Sequence, residues 1–99
     1  GYIALHNVVT NRFWKMAPHD IGSSVQMNWN ALPASWTWER FKVIDAGGGM
    51  IGLHNAIHNR FVQMNHADMS ITGHRHFNHL PPTWAWEKFR PVLVVKASA

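Results

Sequence analysis

The sequence predicts an all-β chain made of two copies of one four-stranded unit. Three observations lead there. Residues Ile3–Ile44 align without a gap to Ile51–Val92, always 48 positions apart, and sixteen of the 42 aligned pairs are identical. The identities reach polar residues, so a shared pattern of burial does not explain them, and an internal repeat does. Apolar and β-branched runs are short and are separated by Asn, Gly, Pro and Asp, as in chains of short strands. Helical periodicity is weak throughout.

Each element has its own justification. The first expected strand is Tyr2–His6, with its copy at Met50–His54. Strand alternation puts Ile3 and Leu5, or Ile51 and Leu53, on one face. The Asn-rich link from Asn7 to Asn11 suits a hairpin turn, because Asn tolerates left-handed backbone. Arg12–Met16 and Arg60–Met64 are the second strand. A weaker third lies near Ile21–Met27 and Met69–Arg75. A loop through Leu32-Pro33 or Leu80-Pro81 follows, and Trp38–Ile44 and Trp86–Val94 are the fourth strand. Asp45-Ala46-Gly47-Gly48-Gly49 joins the units as a turn. No helix pattern follows it, so it is not a phosphate-binding loop. The units are residues 1–48 and 49–99, together one domain or part of one.

Composition bounds the function. Hydrophobic residues are 46% and charged residues 14% of the 99, which fits a compact globular chain. No apolar run approaches ~18 residues, so no membrane-spanning helix is expected. The absence of cysteine excludes a disulfide scaffold and a thiolate zinc site. Nine Lys and Arg face five acids, and the positives are spread over both units, which argues against a nucleic-acid surface. Eight histidines make the net charge sensitive to mild acid. The final Ala97-Ser98-Ala99 has the look of a peptidase site. With Gly1 in place of an initiator Met, it suggests processing from a longer precursor.

The candidate functional residues fall into three sets. His6, Asn7, Arg12 and Glu39 recur as His54, Asn55, Arg60 and Glu87, and read as a structural set. Arg12 with Glu39, and Arg60 with Glu87, would be an ion pair fixing strand register or, in the sharper alternative, a ligand-binding pair. His6 and His54 would bond across the turn to Asn11 or Asn59. The second set is Trp36, Trp38 and Arg40 with Trp84, Trp86 and Lys88. On an extended strand Trp38, Arg40 and Lys42 share a face, giving an aromatic and cationic platform for sugar stacking or partner contact. Their recurrence equally suits a structural role. The third set is His74, His76 and His79, to which Asp68 or His66 could add a metal ligand. The first unit has Gln26, Asn28 and Ala31 there, and the spacing fits no standard zinc motif, so neither metal nor other cofactor is expected. Four of the five acids are repeat partners and no nucleophile sits in a catalytic context, so no enzyme is expected.

The stretch Phe41–Asn55, in which a Phe-centred strand runs through a Gly turn into an apolar strand, resembles a unit junction of the β-trefoil fold. With Asn59-Arg60-Phe61-Val62-Gln63-Met64 it is similar to the fascin-like and hisactophilin-like trefoil group, over nearly the whole chain. A trefoil has three units and this chain has two. The resemblance therefore implies completion by a third repeat, by a partner chain or by self-association. It also implies a non-catalytic module that binds or cross-links actin, in the cytoplasm, with histidine protonation linked to binding at acidic surfaces. A lectin-type, carbohydrate-binding trefoil is the alternative that the tryptophans favour, although the Gln-x-Trp signature of ricin-type lectins is absent. A self-assembling structural subunit processed from a longer repeat protein is the third reading.

Overall fold

In a computed structural model that describes residues 1–92, the chain forms eight strands and, among those residues, no helix. They are β1 (Tyr2–Ile3), β2 (His6–Asn7), β3 (Arg12–Met16), β4 (Ile21–Ser23), β5 (Phe41–Gly47), β6 (Met50–Asn55), β7 (Arg60–Met64) and β8 (Met69–Ile71). All pairings are antiparallel. One sheet has the order β1-β5-β6-β7-β8 and the other β2-β3-β4. No helix of the described residues is long and apolar enough to cross a membrane.

The turns explain why the strands stop where they do. Asn11 and Asn59 adopt left-handed backbone, with φ of 55° and 54°, each at the start of a second strand. Their carbonyls accept from Met27 and Arg75, 2.9 and 2.7 Å away. Gly47, Gly48 and Gly49 all have positive φ, which a side chain would disfavour. They make the β5–β6 turn, where the register slips between Asp45 and Gly47. The strand expected to end at Ile44 thus runs on into the joint.

The fourth strand also starts later than expected, and this is a correction. Trp36 N–H donates to Pro33 O and Arg40 N–H to Thr37 O, at 3.1 and 3.2 Å. Two successive turns coil the chain over Pro33–Arg40, so Trp38, Arg40 and Lys42 do not share a strand face. The third strand is shorter too and ends at Ser23 or Ile71. Trp86–Val94 reduces, among the described residues, to a bridge of Phe89 to Ile51. Its last two positions and the Ala97-Ser98-Ala99 end lie outside the described residues.

Backbone bonds recur 48 residues apart. Met16 N–H donates to Trp38 O as Met64 N–H does to Trp86 O, and Ser24 N–H to Phe13 O as Thr72 N–H to Phe61 O. The Ile3–Phe41 pairing matches the Ile51–Phe89 bridge. Burial recurs only in part: Phe13 and Phe61 are both buried, but Met16 is buried and Met64 exposed. The core cluster is Met16 and Phe41 from the first unit with Leu53 and Val62 from the second, so it lies across the junction. Continuity differs as well. β6 is unbroken and has β5 along one edge, whereas β1 and β2 are separate pieces with nothing along that edge among the described residues.

Asn55 ties the units together. It is fully buried, and its Nδ2 lies 3.0, 3.4 and 3.2 Å from the carbonyls of Thr37, Trp38 and Arg40. Its Oδ1 accepts from His58 N–H at 3.0 Å. Replacing Asn55 by Asp turns the donor into an acceptor facing three acceptors. Asn55→Asp is expected to lower stability by about 2–4 kcal/mol in urea unfolding. A loss under about 0.5 kcal/mol would show that the amide does not tie the units.

Candidate binding clefts

Two clefts, one in each unit, are built from corresponding positions. In the first, Lys15, Ser24 and Val25 form one wall and the Ser35–Glu39 turn the other. In the second, Gln63, Thr72 and Gly73, joined by Ile71, face the Thr83–Glu87 turn. Their volumes are about 330 and 440 Å³, within the size range of small-ligand sites. The hairpin of second and third strands supplies one wall, and the coiled segment after Leu-Pro supplies the indoles and the acid.

The acids stand out. Glu39 and Glu87 are only 5% and 4% exposed, and both line the clefts. The expected Arg–Glu pairs do not form among the described residues. Arg12 donates instead to Ser24 O at 2.8 Å and Arg60 to Thr72 O at 2.9 Å. Arg60 Nη2 also lies 3.2 Å from His74 Nε2. The guanidinium groups therefore fix register by closing the second and third strands. No hydrogen bond among the described residues ends on either carboxylate; the two side chains line the clefts, and their oxygens are not among the buried polar atoms left without a partner, which are Arg40 Nε, His54 Nδ1 and His58 Nε2.

The hydroxyls of Ser24 and Thr72 are committed to the backbone. Each accepts from a Phe N–H, of Phe13 or Phe61, at 3.0 Å. Each donates to the next residue's carbonyl at 2.8 Å. They shape the clefts rather than offer free donors. Sequence reasoning missed Ser24/Thr72, Ser35/Thr83 and Lys15/Gln63. The first two pairs keep a hydroxyl without identity, a signal that a count of identical residues overlooks.

The indoles have distinct neighbours. Lys15 Nζ lies 5.9 Å from the Trp38 ring centroid, and Arg75 stacks on Trp84 at 4.0 Å, geometries in reach of cation–π attraction. Trp38 carries His58 from the second unit at 4.8 Å, while Trp86 is 47% exposed. Arg40 and Lys88 turn away from any shared platform: Arg40 Nη2 donates to Pro33 O at 2.8 Å and Lys88 Nζ to Pro82 O at 2.7 Å.

His6 and His54 hold structure. His6 Nε2 lies 3.0 Å from Met27 O and 3.1 Å from Asn11 Oδ1. His54 Nε2 lies 2.8 Å from Arg75 O, and each ring meets the Phe of the next strand edge-on at 4.8 Å. The His74–His79 segment lies in turns beyond β8, so strand alternation does not aim His74 and His76 together. His76 bonds Asn78 instead. Among the described residues no three His, Asp or Glu side chains are arranged to hold a metal ion.

His54 also gives the fold a pH dependence. Its Nε2–H donates to Arg75 O, so protonation would add a proton at Nδ1, which is buried without a partner. Burial lowers its pKa from the ordinary 6.5, and Lys42 and His76 act the same way. His58 is lowered too, again by burial first. The unfolded chain takes protons below about pH 6.5 that the folded chain refuses, so stability present above that pH is lost as pH falls. The urea midpoint is expected to drop between about pH 7 and pH 5, and to drop less in His54→Gln. Equal slopes in the two proteins would remove His54 as the cause.

Searches against protein-family models and against curated proteins found no match to this chain.

Proposed function

We propose that this chain is a non-catalytic binding module of trefoil-type repeats whose two clefts each take a carbohydrate. One observation carries the reading: two tryptophans and the carboxylate of a largely buried glutamate line a cleft in each unit, at corresponding positions. A sugar ring presents an apolar face that packs on an indole and hydroxyls that donate to a carboxylate. Such a hydroxyl would donate to Glu39 or Glu87, and charge-assisted bonds of this kind are the strong ones. The clefts differ in polar lining at Lys15 against Gln63 and at Thr37 against Ala85, and Lys15 makes the first favour a sugar carrying an acidic group. The actin-binding role implied by the family resemblance has no counterpart in the cleft geometry.

Tryptophan fluorescence and calorimetry with neutral and acidic mono- and disaccharides test this. Saturable quenching is expected, with two sites per chain. Glu87→Gln and Glu39→Gln are each expected to abolish one site or weaken it by about tenfold or more. Both variants should unfold at about the same urea concentration as the parent, because no hydrogen bond among the described residues ends on either carboxylate. No quenching by any sugar, or a clear loss of stability in both variants, would overturn the reading.

A further inference from the structure

The contacts that join the two units inside the chain are half-present at each of its outer edges. At the internal junction, the second unit contributes the Asn55 amide and the first contributes the carbonyls of Thr37, Trp38 and Arg40. The counterparts 48 residues away are Asn7 and the carbonyls of Ala85, Trp86 and Lys88. Asn7 is exposed, and its Oδ1 accepts from Thr10 N–H at 3.0 Å as Asn55 Oδ1 does from His58. Its Nδ2 has no acceptor among the described residues. No side-chain amide among them reaches the Ala85–Lys88 carbonyls. An amide donor is thus open at one end of the repeat; at the other, three carbonyls lack the second, side-chain donor that their counterparts have, Ala85 O and Trp86 O accepting only the backbone N–H of Lys88 and of Met64 among the described residues.

Side-chain burial shows the same complementarity. Met16 is wholly buried at the junction, and its counterpart Met64 is 51% exposed. Trp38 is covered by His58 of the other unit, whereas Trp86 meets His66 of its own unit edge-on at 5.5 Å and stays 47% exposed. His54 is buried and His6 only half-buried. The strand ladder agrees. At the junction Lys42, Val43 and Ile44 pair with His54, Leu53 and Gly52. The corresponding open pair is Arg90, Pro91 and Val92 against His6, Leu5 and Ala4. Pro91 does not obstruct this, because the N–H of its counterpart Val43 points to Gly1 O, inside its own unit. The breaks between β1 and β2 fall where β6 is continuous through its pairing with β5.

We infer that a second copy of this chain docks head to tail: the Asn7 edge of one copy seats on the Ala85–Lys88 turn of the next and rebuilds the internal junction. The contact is heterologous, because the two surfaces differ, and such contacts propagate until a ring closes. The inference does not rest on the clefts or their ligand.

The test uses the 99-residue chain and two variants, one for each edge. Light scattering with size exclusion over about 1 to 500 µM is expected to show mass rising with concentration to a closed assembly. Asn7→Asp keeps the Oδ1 acceptor for Thr10 but turns the open donor into an acceptor. It is expected to weaken association by about tenfold or more with an unchanged circular dichroism spectrum. Met64→Glu blocks the other edge at an already exposed position. An equimolar mixture of the two variants retains one good pair of edges and is expected to stop at a dimer of one copy of each. A parent chain monomeric at every concentration, variants that still assemble alone, or a mixture that stays monomeric would each overturn the proposal.

Discussion

One carboxamide organises this molecule. The Asn55 Nδ2 group faces three carbonyls of a turn in the other unit, and the same side chain caps its own turn through Oδ1. Buried amides are retained where every hydrogen-bonding position is used. By holding the Thr37–Arg40 turn against the start of the next turn, Asn55 fixes where β5 begins. The β5–β6 ladder then brings Phe41 and Leu53 into one core with Met16 and Val62. The core has no separate existence within a unit.

The repeat conserves directional interactions more faithfully than apolar packing. Arg12 and Arg60 close the same strands, Ser24 and Thr72 make the same double bridge, and Asn11 and Asn59 share one backbone conformation. At Met16 and Met64 burial instead follows position in the chain: complete at the junction, half lost at the end. The clefts follow the first pattern and are present twice. The edges follow the second and are incomplete twice. The proposed ligand and docking sites meet at the Trp-x-Trp-Glu turn, whose Trp86 lines a cleft.

How far the sequence revealed this depends on the range of the interactions. β3 and β7 were legible to the residue, because their bounds carry local signals: an Asn turn before and a repeated Met at the end. Trp36-x-Trp38 misled, since a period of two is also what two aromatics on successive turns produce. The turns form through bonds from Trp36 and Arg40 N–H to Pro33 and Thr37 O, which no alternation reveals. Glu39 was visible as a repeated acid. Its separation from Arg12 was not, because the guanidinium is taken up by a carbonyl twelve residues on. The special status of Asn55 over Asn7 could not be read at all, since the two are identical in sequence and differ only in what lies beside them.

The gap between β1 and β2 has a consequence for safety as well as for fit. A long, flat, continuous edge would accept any extended strand, including those of unfolded chains, and would seed fibrils. Here the edge is broken at Ala4 and Leu5 into two-residue pieces. Such a fragment offers little to an indiscriminate strand. A neighbour that brings three acceptors in the right place can straighten it. Incompleteness at this edge is thus a filter on what the chain sticks to.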